Sequence, residues 1–185
     1  RICNGLTYLG VNSLTVIDSM IFAGTYGAGV FASSNDGGLW TQVSPLPSQD
    51  IISLATVDTT LYASTSGGVF ISADFGASWV QASNGIGNFR GSFVNDGVNY
   101  YAPSLGSGIF MSPDYGQSWN PINNLPNNFV NAVAIVGNKL IAATQTGIYY
   151  SLNSGASWYT SSGINPTNIL ALFANGATLF AGVEY

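Results

Sequence analysis

Apolar and polar residues alternate with period 2 along most of this chain, and Val, Ile, Tyr, Phe and Thr are abundant. Clusters of Gly, Asn, Pro and Ser break the alternation about every 8–12 residues, the pattern of short strands joined by tight turns, with helix nearly absent. Near the N-terminus it predicts strands over Asn12–Ile17, Met20–Thr25, Val30–Ser33 and Trp40–Ser44, with a turn at Asp18-Ser19. Four strands in about 40 residues make an antiparallel meander the size of one propeller blade. The order recurs as Ile51–Val57, Leu61–Thr65, Val69–Ser72 and Trp79–Ala82, and then as Gly91–Asn95, Tyr100–Ser104, Ile109–Ser112 and Trp119–Ile122. A fourth unit reads Val130–Val136, Leu140–Thr144, Ile148–Ser151 and Trp158–Ser161, and two strands of a fifth follow at Ile169–Ala174 and Thr178–Val183. Neighbouring apolar residues, as in Ile51-Ile52, Tyr100-Tyr101 and Tyr149-Tyr150, predict strands covered on both faces. Alanine recurs in each second strand, at Ala23, Ala63, Ala102, Ala142 and Ala181, where a small side chain lets sheets approach closely.

The third and fourth strands are joined each time by one eight-residue pattern. It reads Ser-Ser-Asn-Asp-Gly-Gly-Leu-Trp at Ser33–Trp40, Ser-Ala-Asp-Phe-Gly-Ala-Ser-Trp at Ser72–Trp79, Ser-Pro-Asp-Tyr-Gly-Gln-Ser-Trp at Ser112–Trp119 and Ser-Leu-Asn-Ser-Gly-Ala-Ser-Trp at Ser151–Trp158. All four tryptophans of the chain fall in these copies, at intervals of 39 or 40 residues, and a fixed period of about 20–50 residues marks a solenoid, propeller or array. In each copy the Ser and the Asp or Asn (Asn35, Asp74, Asp114, Asn153) are placed to accept backbone N–H bonds. Gly37, Gly76, Gly116 or Gly155 supplies a positive φ, and Trp is expected to begin the next strand as a buried anchor.

The pattern Ser-x-Asp-x-Gly-x-Ser/Thr-Trp resembles the Asp-box of the bacterial neuraminidase repeat family, and the resemblance spans nearly the whole chain. It implies an all-β propeller of four-stranded antiparallel blades. Residues 1–185 would form one propeller region, with complete blades over about 6–45, 46–84, 85–124 and 125–163 and the first two strands of another over 164–185. It says little of activity. In that family the Asp-box lies at the blade periphery, away from the central pocket, in sialidases, xyloglucanase-type hydrolases, sortilin-like receptors, photosystem assembly factors and many non-enzymatic secreted proteins. This sequence departs from the pattern at Asn35 and Asn153, where Asp is usual, and at Leu39, where a hydroxyl residue is usual.

Composition narrows the function classes. Only 6% of residues are charged, against about 25% in average soluble domains, while 46% are hydrophobic and 23 are Gly. Arg1, Arg90 and Lys139 are the only cations and the net charge is −5, so a nucleic-acid partner is not expected. No apolar run approaches the roughly 20 residues of a membrane span. Cys3 is the only cysteine, which excludes an internal disulfide. With no His and no clustered acids, neither a metal site nor a cofactor is expected. A surface poor in Lys and rich in Asn, Ser, Thr and Gly points to an extracellular or cell-surface location.

Residues for catalysis are scarce. The arginine triad, the Tyr/Glu pair and the acid of a sialidase-like site are not available when Arg1 and Arg90 are the only arginines and Glu184 is the only glutamate. A xyloglucanase-like site needs two carboxylates facing one cleft. Asp74 and Asp114 belong to the repeated turns, Asp36 lies beside the usual position in the first, and Asp18, Asp58 and Asp96 fall in or beside hairpin turns. Only Asp50, just before a first strand, is a weak catalytic candidate. Tyr26, Phe75, Phe89, Tyr100, Tyr101, Tyr115 and Tyr159 lie in or near loops or strand ends, and most are expected to pack between blades. Asp18-Ser19-Met20 and Asp58-Thr59-Thr60 resemble the Asp-Ser/Thr sequon for O-glycosylation of exported Bacteroidota proteins, making Ser19 and Thr59 modification candidates beside their plain reading as turns.

These features favour a non-catalytic extracellular or cell-surface structural or binding module, a segment of a larger secreted protein or assembly. The alternatives are part of a xyloglucanase-like glycoside hydrolase whose acids lie partly elsewhere, and a glycan-binding lectin. The half-blade at 164–185 predicts that the rest of a longer chain, or a neighbouring subunit by strand addition, completes the sheet.

Overall fold

The computed structural model describes residues 4–7, 10–82, 93–162 and 168–183. Every regular element among them is a strand, and the strands follow the predicted meander. The first sheet is β1 (Val11–Ile17), β2 (Met20–Thr25), β3 (Gly29–Ser33) and β4 (Thr41–Gln42), and the second is β5 (Ile51–Val57), β6 (Thr60–Thr65), β7 (Gly68–Ser72) and β8 (Val80–Gln81). The third is β9 (Val94–Asn95), β10 (Tyr100–Ser104), β11 (Gly108–Ser112) and β12 (Asn120–Ile122), and the fourth is β13 (Val130–Val136), β14 (Lys139–Thr144), β15 (Gly147–Ser151) and β16 (Tyr159–Thr160). A two-stranded sheet closes the series, β17 (Ile169–Asn175) with β18 (Thr178–Val183). Within each sheet the strands lie in sequence order and every neighbour is antiparallel. The described residues form two compact units, one holding the first two sheets and the other holding the remaining three.

In the first unit, Ile17, Phe22 and Val30 of one sheet meet Ile51, Leu54, Leu61 and Phe70 of the next in a buried core. In the second unit, Tyr101 and Ile109 meet Val130, Val133 and Leu140, and Ile141 and Ile148 meet Ile169. Ala23, Ala63, Ala102 and Ala142 are fully buried, as the close approach of sheets requires, whereas Ala181 on β18 is exposed.

The first and second strands are joined by two-residue turns in four sheets, with positive φ at the leading turn residue: Asp18 (54°), Asp58 (52°), Gly137 (60°) and Gly176 (59°). A positive φ at that position alone matches the twist of the flanking strands, as in type II′ turns. In the third sheet the paired ladder stops at Asn95 and Tyr100, and the Asp96–Asn99 loop turns over the same two residues, Gly97-Val98, with Asp96 N donating to Asn99 O at 3.2 Å and Gly97 at φ 92°.

A β-bulge near the start of the first strand recurs in four sheets, with register shifts between Val11 and Ser13, Ile51 and Ser53, Val130 and Ala132, and Ile169 and Ala171. A bulge re-aims the extra side chain. In the first and fourth sheets that residue is asparagine, and its amide reaches the next sheet: Asn12 Nδ2 donates to Ile51 O at 2.9 Å and Asn131 Nδ2 to Ile169 O at 2.8 Å. Ser13 Oγ accepts from Leu54 N at 3.0 Å, and Thr15 and Thr56 hydroxyls meet at 2.9 Å. None of these ties follows from period 2. Val-Asn recurs at Val11-Asn12 and Val130-Asn131, but also at Val94-Asn95 and Val98-Asn99, so the dipeptide alone does not mark them.

The fourth strands are shorter than expected and each starts after its tryptophan rather than on it. The expected Trp40–Ser44 is Thr41–Gln42, Trp79–Ala82 is Val80–Gln81, Trp119–Ile122 is Asn120–Ile122 and Trp158–Ser161 is Tyr159–Thr160. The reason is visible in the first sheet. Trp40 N donates to Asn4 O at 2.8 Å, and Ser44 N donates to Gly76 O at 3.1 Å in the next sheet, so these backbone groups leave their own ladder. Of the expected strand Gly91–Asn95, only Val94–Asn95 is paired, and Gly91 and Ser92 lie outside the described residues.

Candidate functional site

The four repeated turns share one hydrogen-bonded geometry. The first Ser is buried in every copy, and its hydroxyl accepts from the Gly N–H: Gly37 N to Ser33 Oγ at 3.0 Å, Gly76 N to Ser72 Oγ at 2.7 Å, Gly116 N to Ser112 Oγ at 2.7 Å and Gly155 N to Ser151 Oγ at 2.8 Å. The same hydroxyl donates to the Asp or Asn two residues on, at 2.8–3.0 Å. That Oδ1 in turn accepts from the backbone N–H four residues further: Leu39 to Asn35 at 2.8 Å, Ser78 to Asp74 at 2.8 Å, Ser118 to Asp114 at 2.8 Å and Ser157 to Asn153 at 2.9 Å. Asn35 and Asn153 therefore replace Asp without loss of this bond, because an amide oxygen accepts as a carboxylate does. The second oxygen separates the copies. Ser78 and Ser118 hydroxyls donate to Asp74 and Asp114 Oδ2 at 2.5 Å, Asn153 Nδ2 instead donates to Ser157 Oγ at 3.0 Å, and Leu39 has no hydroxyl to offer.

Positive φ is not confined to the glycines. The residue before each of them, Asp36, Phe75, Tyr115 and Ser154, has φ between 54° and 57°, and the glycines follow at 79° to 89°. Two consecutive left-handed residues tighten the corner, and only the glycine was legible from sequence.

At Asp74 the Ser78 hydroxyl, the Ser78 N–H and the Ser72 hydroxyl hold the carboxyl below its usual range. At Asp114 partial burial pushes upward, but the Ser118 side chain and backbone and Ser112 outweigh it and the pKa is lowered. Asp96 follows the same balance: burial raises it, and the Asn99 N–H, the Tyr101 hydroxyl and the Val98 N–H more than compensate. A carboxyl whose pKa is lower folded than unfolded stabilises the fold above its ordinary value of about 3.9, and that contribution is lost as pH falls through the folded value. Melting temperature should thus stay flat from neutral pH down to about 5 and fall below about 4. Asp114→Asn, which copies Asn35 and Asn153, should fold and show a shallower acid-side fall; an unchanged acid limb would remove Asp114 from the balance.

The turns also join sheets within each unit. A side chain on Gly76 would meet Val43 at 3.0 Å, and one on Gly155 would meet Ile122 Cγ2 at 2.6 Å. Trp79 Nε1 donates to Ser44 O of the preceding sheet at 3.2 Å. Nε1 of Trp40, Trp119 and Trp158 is buried without a partner among the described residues. Trp119 stacks on Phe93, with centroids 5.3 Å apart and planes at 25°.

The other sequence-derived residues are scattered. Asp50 is half-buried and forms an isolated antiparallel bridge with Tyr26, beside Gln49, whose carbonyl accepts from Gly27 and Gly29 N–H at 3.2 and 2.8 Å. Ser19 and Thr59 are exposed at their two-residue turns. Of the loop aromatics, Tyr100 and Tyr101 are buried, but Tyr26, Phe75, Tyr115 and Tyr159 are exposed, so packing between blades does not hold for most of them. These four lie at turns or on the short outer strand β16, where Tyr115 packs against Tyr100 and Tyr159 stacks on Tyr150 of their own sheets. Phe89 lies outside the described residues.

No family model matches the sequence, and neither does any curated protein. Solved structures do match. The extracellular domain of a putative one-component system of B. thetaiotaomicron aligns over 95% of this chain and 26% of its own, at 19% identity and a TM-score of 0.77. The GH74 xyloglucanase from Xanthomonas campestris aligns over 88% of this chain and 26% of its own, at 16% identity and a TM-score of 0.63. YCF48 bound to a D1 peptide aligns over 98% and 64%, at 14% identity and a TM-score of 0.70. The chain thus spans about a quarter of the first two structures and under two thirds of the third. With all-β meanders of four strands throughout, the likeness establishes a partial β-propeller, and at these identities it establishes the fold alone.

Proposed function

We propose that this chain is a non-catalytic propeller module of the Asp-box type, acting at the cell surface or outside the cell as a structural or binding segment of a larger protein. One observation carries the reading. The polar residues that recur with the period are engaged in turn hydrogen bonds and in sheet-to-sheet packing, so the repeated motif is scaffold. The sparse charge and the likeness to the extracellular domain of a putative one-component system support the location.

The test is an assay of the purified chain on xyloglucan and related neutral glucans, read as new reducing ends. None is expected. Release that disappears in Asp50→Asn would overturn the reading in favour of a hydrolase, since that change removes the only carboxylate placed before a first strand.

The exposed hydroxyls of Ser19 and Thr59 fit O-glycosylation of an exported protein, at two-residue turns where added bulk meets solvent. Intact-mass measurement of native material should show a glycan increment mapping to both turns. Unmodified peptides covering residues 18–20 and 58–60 would remove the idea.

A further inference from the structure

In the second unit a cavity of about 470 Å³ opens between the Asp96–Asn99 loop, the Gly137-Asn138 turn and the turn carrying Leu152 and Ser154. Its size falls in the range of small-molecule sites, about 300–1,000 Å³. Two residues at its rim differ from their counterparts in the repeat. Asp96 stands where the first, second and fourth sheets have the apolar Ile17, Val57 and Val136. Ser154 holds the left-handed position that carries the larger Phe75 and Tyr115 in the second and third turns, and its small side chain leaves that space open.

The lining chemistry narrows the occupant. Among the described residues no Lys or Arg borders the cavity, so none of them would balance an anionic ligand, and Asp96 is their one charge there. Its Oδ1 accepts from Val98 N at 2.9 Å and Asn99 N at 2.8 Å, and its Oδ2 accepts from the Tyr101 hydroxyl at 2.6 Å. Three bonds leave little acceptor capacity for the two-pronged grip of an Arg side chain. The remaining polar groups are Asn99, Asn138 and Ser154, whose amides and hydroxyl both donate and accept, as sugar hydroxyls do. Val98 and Leu152, 74% and 50% exposed, offer apolar surface beside them for the C–H face of a ring.

We propose that this cavity binds a short neutral saccharide, with Asn99, Asn138 and Ser154 meeting its hydroxyls and Val98 and Leu152 its apolar face. The proposal rests on the binding-module reading above and adds the ligand class and the place.

The test is a ¹H–¹⁵N NMR titration of the chain with glucose, galactose, xylose, mannose, cellobiose and maltose. At least one should shift amides of residues 96–99, 137–138 and 152–154 together, saturating in the millimolar range. Ser154→Tyr refills the space with the ring that Tyr115 already presents in the third turn, so it should fold with an unchanged melting temperature and lose the shifts. Asn138→Ala, in an exposed turn, should weaken binding by about tenfold, the loss of one or two hydrogen bonds. Shifts that persist in Ser154→Tyr, the absence of any sugar titration, or titration by arginine amide in place of sugars would each overturn the assignment. Cleavage of the titrated disaccharides alongside these shifts would support the site while overturning the non-catalytic reading, so the two fail separately.

Discussion

Trp119→Ala should destabilise the protein by about 3–5 kcal/mol, the range for removing a buried large aromatic side chain. Trp119 is 4% exposed and stacks on Phe93, so truncation removes its buried apolar contacts and leaves a void beside that ring. Its Nε1 has no partner among the described residues, so little of the loss should come from hydrogen bonding. Trp119→Phe, which keeps a ring against Phe93, should therefore cost much less than Trp119→Ala. Urea denaturation of the three proteins decides the matter. If Trp119→Ala unfolded at the same urea concentration as the parent, the tryptophan would not be the anchor of its turn.

Gly155→Ala is the second large effect, expected at about 2–5 kcal/mol from two sources that add, a left-handed backbone at a non-glycine residue and overpacking. Gly155 has φ of 89°, and a Cβ built there lies 2.6 Å from Ile122 Cγ2 and 2.8 Å from Cδ1. Trimming Ile122 separates the two. In an Ile122→Ala background the steric part vanishes and only the backbone part remains, so the added cost of Gly155→Ala should fall by about half, a coupling that a double-mutant cycle reads directly. A cycle with no coupling would mean that the turn does not bear on the preceding sheet.

Both predictions concern a motif that was fully visible as sequence. Period and turn chemistry determined the meander, its repeat of 39 or 40 residues, and the role of Ser, Asp or Asn, and Gly in each corner, because all of these depend on neighbours within eight residues along the chain. The ladders of the second and third strands followed for the same reason: alternation sets which residues pair once a tight turn sets the register.

What only the tertiary structure decided involves partners about one period away. The fourth strand of the first sheet ends early because Ser44 bonds to Gly76 in the next sheet, and Asn12 and Asn131 point across to Ile51 and Ile169 because a bulge turns them out of their own ladder. The burial of Tyr101 and the exposure of Tyr115 could not be told apart by composition, since each lies near the end of a strand or turn and only the packing of the adjacent sheet separates them. The cavity beside Asp96 is of the same kind. Asn99, Asn138 and Ser154 are unremarked polar residues of three separate turns, 39 and 16 positions apart along the chain. Packing of the fourth sheet against the third brings them to one opening, and no local rule of sequence could place them there.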